Sequence, residues 1–122
     1  MSSAQPEDEV YLRHILDAIT QINSYLEGVD RTRFDGTRLL QDAVVRQLEI
    51  VGEAAKRLST DLREQSSSIP WRKITGMRDK LSHDYMGVDL NAVWLTATGD
   101  LPTLKEAVEG LLRSRGRGSN GV

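Results

Sequence analysis

Residues 38–58 read RLLQDAVVRQLEIVGEAAKRL, and this stretch decides the fold class. Leu40, Val44, Leu48, Val51, Ala55 and Leu58 recur at intervals of three and four residues. That is the period of one helix face, not the alternation of a strand. Ala43, Ile50 and Ala54 widen the stripe, as expected of a helix that meets more than one neighbour. Gly52 inside the stripe weakens a helix unless another backbone comes close, so a tight helix crossing is expected there.

Upstream, the same period holds from about Pro6 to Leu26, through Leu12, Ile15, Leu16, Ile19, Ile22 and Leu26. Pro6 followed by Glu7, Asp8 and Glu9 suits a helix start, because carboxylates favour the positive end of the helix dipole. Gly28 suits its stop. The segment VDRTRFDG then reads as a loop, with Asp35 or Thr37 able to cap the next helix. Downstream, residues 59–68 read as a second loop ending in three serines. Trp71, Ile74, Met77 or Arg78, and Leu81 predict a third helix that ends near His83. Asp89 caps a fourth, carrying Leu90, Val93, Trp94 and Ala97. Pro102 lacks an amide hydrogen and crowds the preceding turn, so a kink or break is expected there. Leu101, Leu104, Val108 and Leu111 continue the stripe. The closing SRGRGSNGV holds almost nothing to pack, so disorder is expected over residues 113–122, after one helical domain over 1–112. The fold class is all-α: an up-and-down bundle of four to five helices.

The chain has 122 residues, enough for one hydrophobic core, with 39% apolar and 28% charged residues. It has no cysteine, which excludes disulfides, thiolate metal sites and cysteine nucleophiles. No apolar run approaches membrane-spanning length and the acidic start is unlike a secretory signal, so a cytoplasmic location without membrane contact is expected. Sixteen basic residues oppose eighteen acidic ones. Arg113, Arg115 and Arg117 lie in the last ten residues; without them thirteen oppose eighteen, a net charge of −5. Contact with nucleic acid must therefore come from a local basic patch.

Motifs narrow the chemistry further. The two histidines, His14 and His83, lack metal-ligand spacing, so neither a metal nor another cofactor is expected. Phosphate-loop, dinucleotide-binding and nucleophile-elbow patterns are missing. One dense polar stretch remains, PWRKITGMRDKLSHDY, residues 70–85, holding Arg72, Lys73, Arg78 and Lys80 with Asp79, His83, Asp84 and Tyr85. Metal-free RNA cleavage needs a proton acceptor for the ribose 2′-hydroxyl and a cation for the transition-state phosphate. Histidine exchanges protons near neutral pH. Arginine offers phosphate a permanently charged planar fork. Arg78 and His83 are five apart, about 140° around a helix. They converge only where the helix ends or across a two-fold interface. As a bare spacing, the pair reads as a solvated helix end.

The string Gly76-Met77-Arg78-Asp79-Lys80-Leu81-Ser82-His83-Asp84-Tyr85 resembles the R-x-x-x-x-H-x-Y signature of HepT-like proteins in the HEPN superfamily. Residues Ile50–Leu58 are similar to the family's second-helix segment, and Trp71–Ile74 to the lead-in. Val88-Asp89, Val93-Trp94 and the stretch from Asp100 to Leu104 resemble the family's segments C-terminal to the signature. The resemblance covers most of Leu12–Leu112. It implies a homodimer in which two such motifs face one another and cleave RNA, with Arg78 and His83 catalytic. It also implies a two-gene toxin–antitoxin module. There an MntA-type minimal nucleotidyltransferase transfers AMP to Tyr85, placing bulk and negative charge beside a phosphate-binding site.

One departure is Asp79, where the family commonly has Asn. Four residues before His83, it shares a helix face with it. A carboxylate there stabilises protonated His83, or repels RNA and ties up Arg78. Glu53 either hydrogen-bonds the motif region or is exposed. Lys80, Arg72 and the neighbouring Lys73 either guide RNA phosphates or belong to a solvated face. Trp71 and Trp94 read as core, and His14 as surface. Two rivals to the ribonuclease stay open. One is a non-catalytic HEPN subunit that binds the nucleotidyltransferase; the other is a helical dimerisation module with no nucleotide chemistry.

Overall fold

The computed structural model describes the backbone of residues 6–82 and 89–120, and the side chains of residues 6–77 and 89–116. The described backbone is helical, without strands. The helices are α1 (Pro6–Leu26), α2 (Arg31–Asp35), α3 (Arg38–Lys56), α4 (Thr60–Gln65), α5 (Trp71–Ser82), α6 (Leu90–Leu95) and α7 (Leu101–Asn120). A π-helical turn, Thr96–Asp100, joins α6 to α7. Four long pieces thus form the bundle, α6 and α7 acting as one interrupted rod. The all-α, up-and-down architecture expected from the periodicity is present.

Helix α3 is central and packs against both α1 and α5, while α7 lies along α1. Its double contact explains the broad apolar stripe. Val44, Leu48, Val51, Ala54 and Ala55 are buried, as is Gly52. They meet Leu12, Ile15, Ile19 and Ile22 of α1, with Trp71 and Ile74 of α5 and Val93, Ala97, Leu101, Leu104 and Val108 closing the same core. Gly28 follows the end of α1 with φ +71°, a left-handed conformation that glycine adopts without strain.

Both expected loops contain a short helix. Asp30 caps α2 by accepting from the Arg33 amide at 2.9 Å. Phe34, in the segment read as a loop, is fully buried and packs against Trp94 with ring centroids 5.3 Å apart. Gln41 closes α2 by donating to the carbonyls of Phe34 and Asp35, both at 2.9 Å. Thr37 occupies the cap position of α3, but its hydroxyl donates backward to the Arg33 carbonyl rather than capping. Ser59 caps α4, whose Leu62 is buried. Each short helix carries one buried apolar anchor, too few to register as a period.

Asp89 caps α6 as expected, accepting from the Ala92 amide at 3.1 Å. Pro102 does not break the rod. The Leu101 amide reaches back five residues to the Thr96 carbonyl, and this widened turn accommodates the ring. The rod continues helically to Asn120, past the residue-112 boundary and through the segment expected to be disordered. Val108 is the last buried residue among the described ones, Leu111 and Leu112 pack half-buried against the core, and Arg113 is exposed.

Candidate functional site

The start of α5 is fastened by a polar relay. Asp8 of α1 is 1% exposed. It accepts from the Ser59 amide at 2.8 Å and from the Ser59 hydroxyl at 2.7 Å. Ser59 Oγ accepts from the Leu62 amide at 3.1 Å. Ser66 Oγ donates to the Leu62 carbonyl at 2.6 Å and accepts from Trp71 Nε1 at 3.0 Å. The relay therefore runs from α1 through α4 to the first residue of α5. Each buried polar group on it is satisfied, as burial requires.

Beyond this anchor, α5 turns cations outward. Arg72 is exposed. Lys73 is exposed as well, and its Nζ lies 3.6 Å from Asp100 Oδ2 on the π-helical turn. That pair bridges the rim of an apolar cavity of about 510 Å³ between α5 and the α6–α7 rod, lined by Leu48, Ile69, Ile74, Met77, Leu101 and Leu104 among others. Asp100 carries no sequence signal as a partner, because it lies 27 residues from Lys73 and off any helical period.

Glu53 lies on the other side of α3. It pairs with Arg57 at 3.5 Å and lines a groove of about 520 Å³ between α1 and α3. Tyr11, His14, Arg46 and Glu49 share that groove. The His14 ring meets Tyr11 edge-on at 5.8 Å. His14 is exposed, as its position on the polar side of α1 predicts. The structure thus separates Glu53 from Lys73: they belong to different concavities.

Arg78, Asp79 and Lys80 lie on the last turns of α5, whose final residue is Ser82. Their side chains, and all of His83 and Tyr85, lie outside the described residues. Among the described residues no group of three His, Cys, Asp or Glu side chains is gathered as a metal site. Among them, too, no helix is long and apolar enough to cross a membrane.

The described residues form an α-helical bundle, and the sequence carries R-x-x-x-x-H over residues 78–83, as expected of the HEPN class. The match to the family described as "Ribonuclease HepT-like" covers residues 15–111, and the chain belongs to this family. A protein of Thermococcus cleftensis named "Probable ribonuclease HepT" is 41% identical over 101 residues, covering 83% of this chain and 92% of that protein. A protein of Methanocaldococcus jannaschii named "Gamma-glutamylcyclotransferase and putative RNase" is 38% identical over 112 residues. That match takes in 92% of this chain, which spans 50% of the larger relative. No solved structure gives a significant match.

Proposed function

We propose that this chain is the ribonuclease toxin of a HepT/MntA-type toxin–antitoxin module, active as a homodimer and without a metal ion. The observation that carries the reading is the R-x-x-x-x-H-x-Y string of residues 78–85, inside the span matched by the family. His83 takes the proton from a ribose 2′-hydroxyl, whose oxygen attacks the adjacent phosphorus. Arg78 holds the phosphate oxygens as charge builds in the transition state. The P–O5′ bond breaks, and His83 in its protonated form protonates the departing 5′-oxygen. The products are a 2′,3′-cyclic phosphate and a free 5′-hydroxyl. Asp79 orients and stabilises protonated His83, while Lys80, Arg72 and Lys73 draw the RNA backbone along α5.

Facing motifs from two protomers resolve the 140° between Arg78 and His83 on one helix. Tyr85, two residues beyond His83, accepts AMP from a minimal nucleotidyltransferase, and the added phosphate repels RNA. The test is cleavage of RNA by purified protein in EDTA, beside Arg78→Ala and His83→Ala. Cleavage that persists in EDTA, leaves cyclic phosphate ends and falls by about 10²–10⁴-fold in His83→Ala is the expected result. Cleavage that EDTA abolishes contradicts the metal-free mechanism. An inert, unmodified dimer supports the non-catalytic subunit instead.

A further inference from the structure

Val44, Leu48, Val51 and Ala55 mark the buried side of α3. On the opposite side, within an arc of about 80°, lie Leu39, Asp42, Arg46, Ile50, Glu53 and Arg57. None of these six is buried, and Leu39 is 81% exposed. Arg46, Ile50, Glu53 and Arg57 form one wall of the groove against α1. Leu39 and Ile50 give this charged face apolar surface at one end and at its centre.

The charges on the face are symmetric in position and opposite in sign. Asp42 and Arg57 are equidistant from the peptide between Glu49 and Ile50, and so are Arg46 and Glu53. A second α3 laid antiparallel, with a two-fold axis at that peptide, sets Arg46 against the partner's Glu53 and Asp42 against the partner's Arg57. Each contact then occurs twice, as in any two-fold interface. At helical rise the inner pair lies about 5 Å from the axis and the outer pair about 11 Å. A shallow helix crossing of about 20° keeps both within side-chain reach. Parallel docking in register would set every charge against its own sign. Within one copy, Arg46 lies 3.9 Å from Glu49 at the edge of the arc, and Arg57 lies 3.5 Å from Glu53. Such exposed pairs contribute little alone. Contacts across the two-fold join them into one network.

We infer that the outer face of α3 is where a second copy of this chain docks, antiparallel, with Arg46 on the partner's Glu53 and Asp42 on the partner's Arg57. This inference rests on the homodimeric reading and names the surface that makes the dimer. The two-fold reverses the direction of α3 but leaves α5 on the same side of the α3 pair in both copies, as motifs that face one another require. The full chain is studied by sedimentation equilibrium, as wild type, as Arg46→Glu, as Glu53→Arg, and as an equal mixture of the two variants.

The wild type should be a dimer. Each variant alone should dimerise at least about tenfold more weakly, because like charges now oppose one another at two places. The mixture should recover dimers, since in the mixed pair every inner contact again joins opposite signs. Arg46→Glu/Glu53→Arg in one chain should recover them as well. Both positions are on the surface, and circular dichroism checks that each variant is folded. Should either unfold, Asp42→Arg and Arg57→Asp repeat the exchange at the outer pair. A dimer that tolerates both single reversals overturns the inference and leaves the homodimeric reading standing. Variants that dissociate alone and stay apart when mixed also overturn it, because the loss is then not one of complementary contact. A wild-type chain that is monomeric at every concentration contradicts the inference and the homodimeric reading together.

Discussion

The two ends of α5 use polar residues in opposite ways. At its start, Trp71 is 5% exposed and its indole N–H is satisfied by Ser66, which is tied through Leu62 and Ser59 to the buried Asp8. Every polar atom on that relay lowers the cost of burial. At its other end the helix carries Arg78, Asp79 and Lys80 in succession, a density of charge that no core accepts. One helix thus combines a rigid base with a charged tip, the arrangement expected where a scaffold positions reactive side chains.

The contrast breaks most visibly at the base. Trp71→Ala removes a large buried ring and leaves Ser66 without its donor, and should cost about 3–5 kcal/mol in urea unfolding. A loss below about 1 kcal/mol would mean that the start of α5 is not fastened. Asp8→Ala should cost less, about 1–3 kcal/mol, because it leaves the partly buried Ser59 amide without its acceptor. A double variant with Ser59→Ala should then be less destabilised than the sum of the two single changes, since the residues share one interaction. Lys73→Ala tests the exposed side of the first turn. Its pair with Asp100 is exposed, so stability should fall by less than about 1 kcal/mol. If Lys73 draws RNA along α5, KM should rise while the melting temperature holds.

The same contrast marks what was legible in the sequence. The stripes of α1 and α3 and the Asp89 cap follow from local rules and are present, while the break expected at Pro102 is replaced by a π-helical turn just before it. Helices α2 and α4 are not legible because Phe34 and Leu62 are single anchors in polar segments, where no period can form. The Asp8–Ser59 bond joins residues 51 positions apart, and nothing in either neighbourhood marks it. Asp8 reads as a residue suited to the helix dipole, yet burial gives it a tertiary partner. The candidate site stands in a third position. Spacing alone leaves Arg78 and His83 as a solvated helix end. The surrounding order of segments, from Ile50–Leu58 to Asp100–Leu104, carries the family resemblance, and the family match bears it out.

The most direct measurement takes one variant in the relay that anchors the start of α5 and one at its other end, and reads cleavage and thermal stability together. Ser66→Ala should lower the melting temperature by several degrees, as a buried indole N–H loses its acceptor, while the folded fraction cleaves RNA at the wild-type rate. Arg78→Ala should melt with the wild type and lose cleavage by at least about 10²-fold. If instead Arg78→Ala lowers the melting temperature and its remaining activity simply tracks the folded fraction, the tip of α5 is structural and the catalytic assignment fails.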